Sequence, residues 1–440
     1  MTASYQLAVI GSGTAGREAA ILAARNGLRV VLIEQNGLGG TSFHRGYYAV
    51  RAFRACAEIA RATEWLSVRA RVTARLVREL ETTLDRAGID THFGHASLLD
   101  ANTIRIKSNS AQADLHADYI IIATGSRPSL DGKDLGPAFA NIDQFLDRSH
   151  IPERLLIVGG GYIGCEIASI LQSLGSRVTL VEKSRLLPDW DEFIGTFIAR
   201  TLLDSGVGLH FGHEVDLQHP SGTGEEPSFA LGGGLSVSAD LVLVTIGRIP
   251  NIEGLGLRSL GVEAAPFIRV NDHLQTSLPH VFAIGDVNGL GSMDSLAVAQ
   301  ARTAVATILG KRASYTPRWL PKCVHTNPRI ASIGWTEEEA GRAGLTAITH
   351  SDSFLMVTED ERSVLEPIRL TLKMLVDSES RQILGLHAIG RHAAELVNTA
   401  ALAIQSGITI DQLNEVIFVH PSPIEAIQSF SIRLPSLRDG

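Results

Sequence analysis

Gln6–Leu7–Ala8–Val9–Ile10–Gly11–Ser12–Gly13–Thr14–Ala15–Gly16 decides the reading of the chain. A short apolar run breaks into a glycine-rich turn, and an alanine-rich stretch from Arg17 to Asn26 reads as a helix. A second apolar run, Arg29 to Ile33, ends in Glu34. Strand, glycine turn, helix, strand and acid, in that order, is the pattern of a βαβ dinucleotide-binding unit. It recurs. Leu155 to Val158 leads into Gly159–Gly160–Gly161–Tyr162–Ile163–Gly164, a helix follows through Leu174, and Arg177 to Val181 ends in Glu182. Glu34 lies 18 residues beyond Gly16, and Glu182 lies 18 beyond Gly164. A lone GxGxxG is weak evidence, since glycine is common in tight turns. Two copies with matched acids in full βαβ context specify a duplicated plan. Such glycines let the backbone approach a pyrophosphate, whose charge then rests on the helix N-terminus. The acids suit a free ribose 2′-hydroxyl and repel a 2′-phosphate, which predicts NADH over NADPH, with Lys183 and Arg185 as the opposing charges.

Outward from these turns, each copy has a closing strand, Asp118 to Ser126 and Ala239 to Gly247. A third apolar run, Val281 to Asp286, lies beyond the second copy. Its return to the first sheet makes the second domain an insertion. From Pro317 onward strands and helices alternate without phosphate turns: Ile330 to Gly334, Leu370 to Val376, Ile383 to Ile389, and a helix Ala393 to Gln405. The predicted fold is α/β, with two Rossmann-like dinucleotide-binding domains and a C-terminal α+β domain. The first occupies residues 1–148 and 252–315, the inserted one 149–251, and the last 316–440.

Composition narrows the function. The 440 residues are 45% hydrophobic and 20% charged, with 39 basic against 47 acidic residues and a net charge of −8. No basic block tracks a phosphate backbone, so nucleic acid is not an expected partner. No apolar stretch reaches the ~18–20 residues of a membrane span, and the chain opens directly into a strand, so the expected location is the cytoplasm. The three cysteines, Cys56, Cys165 and Cys323, lack the close spacing of a zinc knuckle or redox dithiol, and no metal site is expected. Glu337–Glu338–Glu339 reads as the acidic first turn of a helix capped by Thr336, and His325 as a structural residue in a strand Val324–Thr326.

The motifs together resemble the flavoprotein disulfide reductases with two dinucleotide-binding domains, the group of dihydrolipoamide dehydrogenase, mercuric reductase and soluble transhydrogenase. The resemblance spans nearly the whole chain. It rests on Gly11–Gly16 with Glu34, Gly39–Gly40–Thr41, Ala123–Thr124–Gly125–Ser126–Arg127–Pro128, Gly159–Glu166, Gly247–Arg248–Ile249–Pro250–Asn251, Ala283–Ile284–Gly285–Asp286–Val287 and His420–Pro421–Ser422. It implies FAD on the first copy, with Gly11, Gly13, Gly16, Glu34, Gly40, Thr41, Thr124, Gly125, Asp286 and Ala297 as contacts. It implies a nicotinamide nucleotide on the second, with Gly159, Gly161, Gly164, Glu182 and Gly247. It further implies a homodimer whose C-terminal domain completes the partner's active site. Glu166 is implied as the acid beside the nicotinamide, and its usual lysine partner near flavin N5 is Arg51 in this chain. An arginine fork is bulkier and does not titrate as a lysine does.

The departure from the family is at its reactive centre. There, Gly-Gly-Thr is followed at once by CxxxxC. Here Ser42 and Tyr47 occupy the two cysteine positions. Neither forms a disulfide or carries two electrons. His420 and Glu425, five residues on, match the family's acid/base dyad, in which the carboxylate orients the imidazole for proton transfer. For Tyr47 and Tyr48 two readings stay open: stacking on flavin or a flat acceptor, or filling the space left by the cysteines. His44 and Arg45 are either anion contacts or solvated loop charges.

The leading expectation is an NADH-dependent FAD oxidoreductase without a dithiol relay. Electrons would pass from reduced flavin to a small acceptor such as a quinone, in a pocket of Ser42, Tyr47, Tyr48 and the partner's His420. Alternatives are oxidation of a small substrate with NAD+ as acceptor, nicotinamide transhydrogenation, favoured by Ser295–Leu296–Ala297, and a non-catalytic FAD/NADH-binding sensor or structural dimer.

Overall fold

The computed structural model describes residues 3–58, 64–130, 136–217, 227–357, 363 and 367–432. They form two compact units, one of Met1–Asp134, Ala140–His150 and Ile246–Pro317, the other of Leu135–Phe139, Ile151–Thr245 and Arg318–Gly440.

In the first unit, β1 (Ala3–Ile10), α1 (Thr14–Arg25) and β2 (Val30–Glu34) form the first βαβ turn. They are followed by α2 (Gly40–His44), α3 (Tyr47–Glu58) and α4 (Trp65–Arg86). Next come β3 (Asp90–Phe93), β4 (His95–Leu98), β5 (Thr103–Lys107) and β6 (Gln112–Ile122). The sheet runs β3–β2–β1–β6–β5–β4, with β1 parallel to β2 and β6, and β6 antiparallel to β5. β2 is buried along its whole length, which explains its uninterrupted apolar sequence. The short β7 (Ser126–Pro128), β8 (Phe139–Asn141) and α5 (Ile142–Leu146) precede the second copy.

That copy comprises β9 (Arg154–Val158), α6 (Tyr162–Ser173), β10 (Arg177–Glu182), α7 (Glu192–Asp204), β11 (Gly208–Phe211), the hairpin β12 (Ser228–Gly232) and β13 (Leu235–Ser238), and β14 (Leu241–Val244). Its parallel strands run β11–β10–β9–β14. The chain then re-enters the first unit through β15 (Arg248–Pro250), antiparallel to β7, and β16 (Val281–Ala283), parallel to β6. The run Val281 to Ala283 therefore does rejoin the first sheet, and α8 (Asp294–Ile308) follows it.

Beyond Pro317 an antiparallel sheet runs β17 (Lys322–Val324), β18 (Ile330–Gly334), β21 (Ile383–Ile389), β20 (Ile368–Asp377) and β19 (Ala347–Met356), and α9 (Glu337–Arg342) sits between β18 and β19. The helix Ala393–Gln405 buries Leu396, Val397 and Ala400 against Leu370, Leu372 and Leu386. Each such fully buried aliphatic contributes about 1.5–3 kcal/mol, so this interface holds the domain together.

Two local expectations need correction. α1 begins at Thr14, not Arg17, because Gly16 is itself helical: a Cβ there would lie 1.9 Å from the Gly11 carbonyl oxygen, so only glycine lets the helix start this close to the turn. β17 ends at Val324, which leaves His325 beyond the strand. Glu337–Glu339 do open a helix, with Thr336 and Glu339 in a reciprocal capping box. No helix among the described residues is long and apolar enough to cross a membrane.

Candidate functional site

The two glycine turns share their backbone solution. Gly11 and Gly159 sit at φ +103° and +111°, a region that disfavours side chains. In each copy the third glycine packs on the first, Gly16 on Gly11 and Gly164 on Gly159. The middle glycines, Gly13 and Gly161, are the N-caps of α1 and α6. Neither helix has a side-chain cap or an acid in its first turn. By contrast, α5, α7 and α9 are capped by Asn141, Asp191 and Thr336. A Cβ built on Gly13 or Gly161 meets nothing within 4 Å. Each turn thus presents uncapped amides to an open space, the donor set a pyrophosphate needs.

The acids close the turns. Ser12 donates to Glu34 Oε2 through its amide (2.9 Å) and hydroxyl (2.6 Å), and the Asn36 amide donates to Oε1 (2.9 Å). In the second copy the Gly160 amide donates to Glu182 Oε2 (2.7 Å) and the Ser184 amide to Oε1 (3.0 Å). Both opposing cations there are engaged: Lys183 pairs with Glu214 (2.6 Å), and Arg185 donates to the Pro188 and Trp190 carbonyls and reaches Glu338.

Around the first turn, Gly40 approaches Gly13 so closely that a Cβ would lie 2.7 Å from its Cα, and the Gly39 amide donates to Ser12 Oγ (3.0 Å). Gly39–Gly40–Thr41 and Gly11–Gly16 therefore form one cradle. Thr124 and Gly125 are fixed against Asn251: Thr124 Oγ1 donates to its carbonyl (2.6 Å), and the Asn251 amide donates to the Gly125 carbonyl (3.0 Å). Asp286 Oδ2 accepts from Ser126 Oγ (2.6 Å) and lies 3.6 Å from Arg248 Nε. Burial pushes its carboxyl above the ordinary range, against the pull of Ser126 and Arg248. Ala297 is buried in the first turns of α8, and Gly247 takes φ +73° ahead of β15.

Ser42 is buried on α2, and Tyr47 opens α3 with 41% of its surface exposed. The segment carries an aromatic and cationic series. Arg17 lies over Phe43 (4.4 Å), Phe43 meets Tyr48 edge-on, Tyr48 meets Tyr47 edge-on, and Arg51 lies over Tyr47 and donates to its hydroxyl (3.2 Å). Arg51 is thus a partner of Tyr47. Tyr47 and Arg51 meet at the i,i+4 spacing of α3, while the Phe43–Tyr48 contact joins α2 to α3 and left no sign in the sequence spacing. His44 bonds the Leu38 carbonyl (3.0 Å), and Arg45 pairs with Asp147 in a partly exposed ion pair. Cys56, Cys165 and Cys323 form no disulfide; Cys56 and Cys165 are buried, and burial raises the Cys165 thiol pKa far above its usual value.

In the second unit, Glu166 lies on α6, two residues past Gly164. His420 Nδ1 is 3.0 Å from Glu425 Oε1, and the Ser422 amide donates to Glu425 Oε2 (2.8 Å). The Ser422 amide, then His420, hold the Glu425 carboxyl below its ordinary range. A carboxylate on Nδ1 selects the tautomer with Nε2 unprotonated, and the ring is 82% exposed. Ile417 and Val419 beside it are 94% and 81% exposed, an apolar surface suited to a protein contact.

Comparison with known proteins agrees with this geometry. The family model described as pyridine nucleotide-disulphide oxidoreductase matches residues 5–307, and that family's dimerisation domain matches 320–430. A dihydrolipoyl dehydrogenase of Bacillus subtilis is 30% identical, with 96% of each chain covered. A soluble pyridine nucleotide transhydrogenase of Yersinia enterocolitica is 32% identical over 96% of each chain. The solved structure of the HOCl-induced flavoprotein disulfide reductase RclA from Escherichia coli superposes with a TM-score of 0.87 at 26% identity, covering 98% of this chain and 100% of that one. With both nucleotide cradles and the C-terminal domain accounted for, the chain belongs to the pyridine nucleotide-disulphide oxidoreductases, the flavoprotein disulfide reductase family of FAD- and pyridine nucleotide-dependent enzymes.

Proposed function

We propose that this protein is an NADH-dependent FAD oxidoreductase that delivers electrons to a small acceptor, a quinone first among them, without a dithiol relay. The observation that carries the reading is the absence of sulfur from residues 42–47 within otherwise complete nucleotide sites. The nearest thiol in sequence, Cys56, is 3% exposed. Residues 1–148 and 252–315 would hold FAD, 149–251 the nicotinamide nucleotide, and 316–440 the dimer contact.

Bound FAD would supply two-electron chemistry at its ring system. The chain's own residues do the rest. The α1 and α6 amides would hold the two pyrophosphates, and Glu34 and Glu182 would face the ribose hydroxyls. Glu182 favours NADH by repelling a 2′-phosphate, and the two cations beside it are engaged, Lys183 with Glu214 and Arg185 Nη2 with the Pro188 carbonyl. Tyr47 and Tyr48 offer a flat acceptor an aromatic edge. His420 of the partner subunit, held by its Glu425, would deliver the proton to a carbonyl oxygen. On the family's pattern, Glu166 would face the nicotinamide and Arg51 the flavin.

The test is anaerobic NADH titration followed by reoxidation with a panel of quinones, dyes and oxygen. The expected result is bleaching of the flavin without a long-wavelength thiolate band, and quinone-accelerated turnover. No acceleration by any acceptor in the panel would sink the proposal. Transhydrogenation is the second reading, supported by Ser295–Leu296–Ala297 and by the 32% identical relative. Equal rates of reduction by NADH and NADPH would favour it.

A further inference from the structure

Asp294 belongs to none of the motifs above, yet it joins three segments of the FAD cradle. It opens α8, whose N-cap, Met293, contributes no side-chain bond. Its Oδ1 accepts from Thr14 Oγ1 (2.5 Å), the first residue of α1, and its Oδ2 accepts from Ser42 Oγ (3.2 Å) on α2. An acid in a first turn commonly serves its own helix by answering the dipole. Here both oxygens are committed to hydroxyls on other segments. The charge also reaches beyond those bonds: it acts on the half-buried Arg17 guanidinium from α1 and on the Asp286 carboxyl.

We propose that Asp294 is a positioning residue of the flavin site, which orients the Ser42 hydroxyl and places a fixed negative charge beside bound FAD that biases it against reduction. The inference rests on the reading above, in which the Ser42–Tyr47 segment borders the flavin ring. Two-electron reduction adds negative charge to that ring, and a carboxylate bonded to the segment that borders it opposes that charge. Asp294 is exposed, so solvent screens its charge and holds the shift in the equilibrium to about tenfold. The bias suits a site without sulfur: electrons that have no dithiol to move to leave the flavin more readily for an outside acceptor.

The experiment uses the full-length flavoprotein and reads the ratio of reduced to oxidised FAD, by visible absorbance, against a dye of known potential. Asp294→Asn keeps the shape and one acceptor oxygen but removes the charge. Its ratio at a fixed poise is expected to rise about tenfold. Ser42→Ala keeps the charge and removes one bond, so it alters the flavin spectrum without raising the ratio. An unchanged ratio in D294N overturns the inference. So does a folded D294N that fails to take up FAD, since removing negative charge beside a pyrophosphate does not weaken its binding electrostatically. If D294N does not fold, Asp294→Ser carries the same two outcomes. A native chain that binds no FAD at all would refute the underlying reading instead.

Discussion

The two glycine turns differ in one residue that changes how each is braced. In the first, Ser12 follows the leading glycine: its hydroxyl donates to Glu34 and accepts from the Gly39 amide, so turn, acid and the Gly39–Thr41 segment lock together. In the second the equivalent residue is Gly160, where a Cβ would lie 2.5 Å from the Leu186 side chain. Glu182 is held there by backbone amides and the more distant Ser184 hydroxyl. A turn locked on its own side chains suits a resident prosthetic group. A looser one suits a nucleotide that enters and leaves with each turnover.

The second copy has a different brace, lower in its fold. Asp191 caps α7 and accepts from Lys373 Nζ (2.8 Å) and the Glu337 amide (2.9 Å), and His387, wholly buried, lies 3.6 Å from it. Ser332 Oγ contacts His387 Nδ1 at 2.6 Å. This ties the nucleotide copy to the C-terminal sheet through charges that are costly to bury unpaired.

The largest break in the comparison should come from the middle glycines. Gly13→Asp and Gly161→Asp fit the open space and the backbone, so both variants should fold. The first should lose FAD, with affinity down at least about a hundredfold. The second should keep FAD but lose its reduction by NADH. Absorbance of the purified proteins and anaerobic titration separate the two, and loss of FAD from both would erase the distinction between the turns.

Acid should act next, and on the second unit. Burial lowers His387 to about 4, so the folded protein keeps it neutral while the unfolded chain takes up a proton below about 6.5. Its stability contribution is therefore complete above pH 6.5 and is lost as pH falls towards 4, by roughly 3 kcal/mol. Urea midpoints measured from pH 7 to 4.5 should show this slope, and His387→Gln should flatten it.

Nucleotide preference gives a smaller effect. Glu182→Ser removes the repulsion of a 2′-phosphate and should raise the NADPH/NADH ratio of kcat/KM by about tenfold. The gain should stay limited, because Lys183 and Arg185 remain paired. Ser12→Gly, which copies the second turn into the first, should cost about 1 kcal/mol, or roughly fivefold in FAD affinity by equilibrium titration.

Much of this was legible in the chain because it is local. Gly11 to Glu34 and Gly159 to Glu182 carry strand, turn, helix and acid within some two dozen consecutive residues, and backbone sterics dictate each step. The His420–Glu425 pairing is similarly short-range. Asp294 with Ser42, separated by 252 residues, and Lys373 with Asp191, separated by 182, carry no such signal. Nothing in Ser-Phe-His-Arg-Gly-Tyr-Tyr announced that Arg45 would pair with Asp147, whereas Tyr47 and Arg51 sit at the i,i+4 spacing of one helix.

Sequence alone determined that two dinucleotide cradles exist, that their acids match, and that residues 42–47 contain no cysteine, because these are facts of residue type at fixed spacing. Tertiary structure alone decided which charges are spent on structure and which remain for chemistry. Ion pairs and hydroxyl contacts form wherever packing brings side chains within about 3 Å, and burial then sets their worth.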